Sequence, residues 1–141
     1  MLKVKIFTIH KTKENWLNEA IAEYEKRLTK DIKFDWQILK DEKDLIKKVL
    51  KENFYICLDE KAKSFTSIEF SKKIINFFEN HKSKISFVIG SDIGLSQIIK
   101  TKANYTMSLS KLTFTHQMVR LILVEQLYRA FQISKNTKYH K

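Results

Sequence analysis

Apolar and polar residues alternate with period two from Lys3 to Ile9 (KVKIFTI), the rhythm of a strand with one face on a core. The rhythm then changes. Trp16, Leu17, Ala20, Ile21, Tyr24 and Leu28 recur at helical spacing, so the pattern predicts a helix over Trp16 to Leu28. Alternation returns in IKFDWQIL, Ile32 to Leu39, and gives way to a stripe of Leu45, Ile46, Val49 and Leu50 between Asp41 and Lys51. Two short apolar runs, NFYICLD (Asn53 to Asp59) and KISFVIG (Lys84 to Gly90), read as strands buried on both faces. Between them, Thr66-Ser67-Ile68-Glu69 has the residues of a capping box and opens a helix through Glu79. A short helix follows from about Ser96, then a last strand, NYTMSLS, from Asn104 to Ser110. Thr115 caps a long final helix, His116 to Ser134.

Strands that alternate with helices along the chain predict an α/β fold, a mainly parallel sheet covered by helices on both faces. No linker, low-complexity stretch or internal repeat interrupts the order, and 141 residues suit one domain spanning 1–141. The final helix departs from the amphipathic norm: Met118, Val119, Leu121, Ile122, Leu123, Val124, Leu127, Tyr128, Ala130 and Phe131 leave it almost no polar face. A sheet can cover only one side of such a helix, so a second subunit is expected on the other, in an isologous dimer.

With 43% hydrophobic and 30% charged residues the chain should fold. No window approaches the roughly 18 unbroken apolar residues of a membrane span, and MLKVKIFTIH lacks a signal-peptide core. Cys57 is the only cysteine, so no intrachain disulfide can form, and a cytoplasmic location is expected. The net charge of +11 and pI near 9.7 favour a polyanionic partner. The charge alone leaves that open, because a chain this rich in Lys, Ile and Asn also follows from AT-rich coding.

Candidate chemistry gathers in three places. Both glycines of the chain, Gly90 and Gly94, fall in VIGSDIG directly after a buried strand. Glycine is required where φ is positive or where a group approaches the backbone closely, and the carboxyl end of a parallel strand is where α/β sheets bind ligands. A plain tight turn would use the same residues. The spacing fits neither G-x-G-x-x-G nor the Walker phosphate loop. Second, Ser108 to Arg120 (SLSKLTFTHQMVR) carries hydroxyls on Ser108, Ser110 and Thr113 that could bind a ligand or cap their own backbone. His116 there is a packing or a chemical residue. Arg120 and Arg129 sit on an apolar helix, where Glu125 can neutralise one of them, or where both could meet phosphate beside a cleft. Third, the tail KNTKYHK ends on Tyr139 and His140, a stacking ring and an imidazole. His10, His81, His116 and His140 have no metal-ligand spacing with each other or with Cys57, no metal is expected, and Cys57 reads as core.

VIGSDIGL, SLSKLTFTHQMVRLILVEQLYRAFQI and the closing YHK, together with the opening KIFTIHKTKENWLNEAIAEYEKRL, resemble the ribosomal RNA pseudouridine N3-methyltransferases called RlmH, of the SPOUT class. The resemblance implies a deep C-terminal trefoil knot, a homodimer, and S-adenosylmethionine held in the knot chiefly by backbone. It also implies a substrate, pseudouridine 1915 of 23S rRNA in the ribosome, methylated at N3. The positions matching the family's cofactor contacts are Leu58, Gly90, Leu109, Ser110, Lys111, Leu112, Thr113 and Phe114. His140 would contact or deprotonate the base, Tyr139 would stack on it and Arg129 would hold phosphate or a carbonyl, with the tail closing over the partner subunit's cofactor. Two positions depart from the family pattern: Ser91 replaces the second of two adjacent glycines, and Thr115 replaces a proline. A non-catalytic rRNA- or ribosome-binding protein on the same scaffold is the alternative, and it would need neither the glycines nor the Ser110–Phe114 loop.

Overall fold

The structure, a computed structural model, describes residues 1–81 and 83–141. Five strands form one sheet: β1 (Leu2–Ile9), β2 (Ile32–Leu39), β3 (Tyr55–Leu58), β4 (Lys84–Ile89) and β5 (Tyr105–Met107). Their order is β2-β1-β4-β3-β5 and every pairing is parallel. The connecting helices are α1 (Asn15–Arg27), α2 (Glu42–Val49), α3 (Ser67–Asn80), α4 (Gln97–Lys102) and α5 (His116–Ser134).

The pleat sorts side chains into two cores. On one face Val4, Ile6, Ile56, Phe87 and Ile89 pack with residues of α1, α3 and α5, such as Leu17, Ile74, Leu123 and Leu127. On the other, Phe7, Ile9, Cys57 and Val88 pack with Leu45 and Val49 of α2 and Ile99 of α4. Burial on both faces is why β3 and β4 are continuous apolar runs, while the edge strand β2 alternates. Cys57 is fully buried, and burial pushes its thiol up to about 12, which makes it a core residue.

Local signals hold where their groups are seen. Thr66 Oγ1 accepts from the Glu69 N–H at 3.1 Å while Glu69 Oε1 accepts from the Thr66 N–H at 2.9 Å, a complete capping box. Thr115 caps α5 through the Met118 N–H at 3.2 Å, so the residue that replaces proline still starts the helix. The last strand is shorter than its pattern: Asn104 and Ser108 to Ser110 leave the ladder, and Asn104 Oδ1 accepts from the Tyr55 N–H instead.

Helix α5 is covered on one side only within the chain. Arg120, Leu123, Val124, Leu127, Ala130 and Phe131 face the sheet and its neighbours, whereas Met118, Ile122, Glu125, Arg129 and Ile133 form a half-exposed outer stripe. The chain reaches α5 by an unusual route. From the edge strand β5 it passes beside the β3–α3 loop, where the Ser108 N–H donates to the Lys63 carbonyl at 3.0 Å, and then delivers α5 to the end of β1.

Candidate active site

A cavity of about 840 Å³ opens at the carboxyl ends of β3, β4 and β5, walled by Leu58–Lys61, Ile89–Leu95, Ser108–Ser110, Leu112–Gln117, Lys100 and Val119. Its position is the one expected of a ligand site on an open parallel sheet, and its size is that of a small-molecule pocket. Leu58, Gly90, Leu109, Ser110, Leu112, Thr113 and Phe114 all line it. Lys111 does not: its side chain is exposed and lies outside the lining, because the loop turns it to solvent.

The two glycines shape this wall for different reasons. A Cβ on Gly90 would lie 2.7 Å from the carbonyl carbon of Gly94 and 3.0 Å from the Leu95 nitrogen, so the loop could not fold back over a larger residue. Gly94 has φ +86° with open space around it, and its N–H donates to the Ser91 carbonyl at 2.9 Å. The closest group to Gly90 is therefore its own loop.

The serine hydroxyls are used locally. Ser108 Oγ donates to the Ser110 carbonyl and accepts from the Ser110 N–H at 3.2 Å, and Ser110 Oγ accepts from the Leu112 N–H at 3.0 Å. They fix the loop's own turns and leave ligand contacts to its backbone, to apolar side chains and to the Ser110 O–H. His116 lines the cavity at the start of α5, and burial first, then the charge of Arg120, holds its imidazole below the usual histidine range. It is neutral at physiological pH.

Arg120 is where sequence reasoning was furthest from the fold. It does not emerge beside the cleft. It is fully buried, and its Nη2 donates to the carbonyls of Ile9 at 2.9 Å and His10 at 2.8 Å, while Nη1 donates to Thr12 Oγ1 at 2.9 Å. Desolvation lowers its pKa. Gln117, one turn earlier, adds two bonds to the same loop: its Oε1 accepts from the Lys13 N–H at 3.0 Å and its Nε2 donates to the Lys11 carbonyl at 3.3 Å. The first turns of α5, which wall the cavity, are thus fastened to the β1–α1 loop. No local signal could have found these partners, more than 100 residues away in sequence.

Arg129, Tyr139 and His140 do come together, on the outer face of α5. Arg129 forms the i,i+4 ion pair with Glu125 at 2.7 Å, which raises its already high pKa. Tyr139 Oη donates to Glu125 Oε1 at 3.1 Å, its ring meets Tyr128 edge-on at 4.7 Å, and Arg129 lies over it at 4.8 Å. Burial pushes the Tyr139 phenol up, so it stays protonated. Arg129 Nη1 lies 3.0 Å from His140 Nδ1. A guanidinium can only donate, so Nδ1 is the acceptor and the ring proton sits on Nε2. His140 presents a donor to solvent.

Within one chain this cluster is remote from the cavity. The lining ends at Val119, and Arg129 lies ten residues further along the helix, about 15 Å at 1.5 Å per residue.

The family model described as "Predicted SPOUT methyltransferase" matches residues 2–140. The chain is 43% identical, over the whole of both chains, to a protein of Protochlamydia amoebophila (strain UWE25) named ribosomal RNA large subunit methyltransferase H. It is 40% identical to the protein of that name from Streptococcus suis (strain 05ZYH33), over 99% of this chain and all of that one. Among solved structures, a probable methyltransferase from Bordetella pertussis Tohama I superposes with TM-score 0.61 at 6% identity, over 92% of this chain and 96% of that one. A probable methylase family protein from Haemophilus influenzae Rd KW20 superposes with TM-score 0.60 at 14% identity, over 98% and 70%. These last two speak for the fold alone. A full-length family match, relatives above 40% identity and a parallel sheet with a glycine-shaped cavity at its carboxyl edge agree: the chain belongs to the SPOUT methyltransferases.

Proposed function

We propose that this protein transfers the methyl group of S-adenosylmethionine to N3 of pseudouridine 1915 in the 23S rRNA of the ribosome, as a cytoplasmic homodimer. The observation that carries the reading is the cavity itself, built from the ends of three adjacent strands in a chain whose relatives are named as large-subunit rRNA methyltransferases. A binding-only protein would have no use for it.

The lining suits the cofactor. Leu58, Ile89, Leu95, Leu109 and Val119 give apolar surface; Asp59, paired with Lys100 at 3.8 Å, shares the wall with Lys61, Glu60 and Asp92, so carboxylates for the ligand's ammonium and sulfonium stand beside cations for its carboxylate. The loops offer backbone, since Ser108 Oγ already both donates and accepts within the loop, and the Ser110 O–H remains free to donate to a ligand. When bound, the cofactor supplies an electrophilic methyl. The protein's task is to align N3 with it, and alignment alone is worth roughly 7–11 kcal/mol.

The tail completes the site from the partner subunit. Support comes from the half-exposed stripe of Met118, Ile122 and Ile133 on α5, flanked by exposed Trp16 and Ile68 on neighbouring helices, a face suited to a second copy. Across such an interface Arg129 and His140 reach a cavity they cannot reach in their own chain. With Nδ1 engaged by Arg129, His140 acts as a hydrogen-bond donor to a base carbonyl through Nε2, and Tyr139 stacks on the base. The path of residues 108–115 between the β3–α3 loop and α5 is consistent with a chain end threaded into a trefoil knot.

The test is isotope transfer. Large-subunit rRNA or ribosomes lacking the modification are incubated with labelled S-adenosylmethionine, and nucleosides are resolved by mass spectrometry. Label in N3-methylpseudouridine is expected. Label in another nucleoside would move the substrate, and absence of cofactor heat in calorimetry would favour the binding-only reading.

A further inference from the structure

We propose that the β1–α1 loop, His10 to Lys13, is a shelf that holds a phosphate of the RNA strand next to the nucleotide entering the cavity. The proposal rests on the rRNA reading above and adds the place of contact. His10, Lys11 and Lys13 are all exposed, three basic side chains in four residues. The loop that carries them is held rigidly. His10 has φ 64°, a left-handed conformation that a non-glycine residue adopts only when its surroundings enforce it, and Arg120 and Gln117 fix the backbone of Ile9, His10, Lys11 and Lys13. Gln117 is also part of the cavity wall, so the shelf adjoins the pocket through a single side chain.

Arg120 makes the loop more positive still. None of the ion pairs among the described residues includes it, so its charge lies buried beneath the loop with only carbonyl and hydroxyl acceptors around it. A cation in a low-dielectric site projects its potential further than one in water. The carboxylates facing this region are Glu14, which ends the loop, Asp92, across the cavity from His116, and Glu25, which lines the second groove with Lys11 and accepts from the Trp36 indole N–H at 2.9 Å. They match Lys11, Lys13 and Arg120 in number, but the loop's own tip, His10 to Lys13, carries two exposed lysines and no carboxylate, so the positive potential is focused there.

The shape favours a polymer over a mononucleotide. Lys11 and Thr12 form a wall of a second groove of about 410 Å³, whose other lining includes Asn18, Trp36 and Ile38. The loop is thus a ridge between two concavities, with the target cavity on one side. On the other, half-buried Trp36 and the 40%-exposed Ile38 offer apolar surface to a neighbouring base.

The test uses the full chain with Lys11→Glu and Lys13→Glu combined. The loop is pinned through backbone atoms, so these changes alter charge and leave the fastening intact. Expected results are a KM for rRNA raised about tenfold or more, a salt slope of RNA binding reduced by about 2, and kcat and S-adenosylmethionine affinity within twofold of the unsubstituted protein. Lys47→Glu with Lys48→Glu, on α2 across the sheet, changes net charge equally and is expected to shift KM less than twofold. If the double glutamate variant loses cofactor binding, Lys11→Gln with Lys13→Gln reads the same comparison. Equal behaviour of the loop and α2 pairs would overturn the shelf alone. No methyl transfer by the unsubstituted protein would overturn the rRNA reading, and the shelf with it.

Discussion

Arg120 and His10 are 110 positions apart in sequence, yet the guanidinium of one donates to the backbone carbonyl of the other at 2.8 Å from a fully buried site. Replacing Arg120 by Met would leave the carbonyls of Ile9 and His10 without their donor in the interior, at about 1–3 kcal/mol each. We expect Arg120→Met to lower unfolding free energy by about 3 kcal/mol in urea titration, and Arg120→Lys to recover only part of it, since one ammonium cannot span the same acceptors.

The glycine pair separates shape from strain. Gly90→Ala must push the Gly94–Leu95 backbone away from contacts of 2.7 and 3.0 Å and so deforms the cavity wall. Gly94→Ala meets no atom within 4 Å and pays only for its φ of +86°, about 1–2 kcal/mol. Calorimetry should show cofactor affinity reduced about tenfold or more by the first change and clearly less by the second. Equal losses would contradict this account of the loop.

If the tail acts on the partner's cavity, two damaged proteins should repair each other. Gly90→Ala cripples a cavity and Arg129→Ala cripples a tail. Mixed after reversible dissociation, half the dimers become heterodimers with one intact composite site, so activity should return to about a quarter of the unsubstituted level. A tail acting within its own chain would give no recovery. At His140 the donor role predicts that His140→Gln, which keeps an N–H, retains more turnover than His140→Ala.

Ile122 lies midway along the outer stripe of α5. If this stripe is the interface of the proposed dimer, Ile122→Glu should give a monomer in light scattering and abolish methyl transfer, with the far-ultraviolet spectrum unchanged.

His116 carries a pH signature. Its folded pKa lies below the ordinary value, so the unfolded chain binds the proton first as pH falls. The stability it permits is fully present above about pH 6.5 and is lost as pH drops through the folded value. His116→Gln should flatten unfolding free energy between pH 7 and 5 relative to the parent protein.

Much of this architecture is legible in the chain. Helix α5 begins and ends where Thr115 and the apolar pattern place it, and β2 spans its alternating segment without offset. The capping box at Thr66 needs only its own four residues. Seven of the eight expected cofactor positions line the cavity, because a loop after a buried strand has few places to go. The outward turn of the Lys111 side chain is not legible, because side-chain direction in an irregular loop has no period to read. The burial of Arg120 is not legible because its acceptors are main-chain oxygens and threonine hydroxyls more than 100 residues away, which no local pattern betrays. His10 gave no sign of its left-handed backbone, since the residues that enforce it lie at the other end of the chain.

The place of β1 in the sheet has a consequence for biosynthesis. During synthesis β1 pairs early with β2 on one side, but on the other it waits for β4, some 80 residues later, and its terminal carbonyls wait for α5. Contacts of such long range reward the chain only late in folding. A growing polypeptide therefore has no cofactor cavity until its last helix is free, and a truncated product is inert by construction.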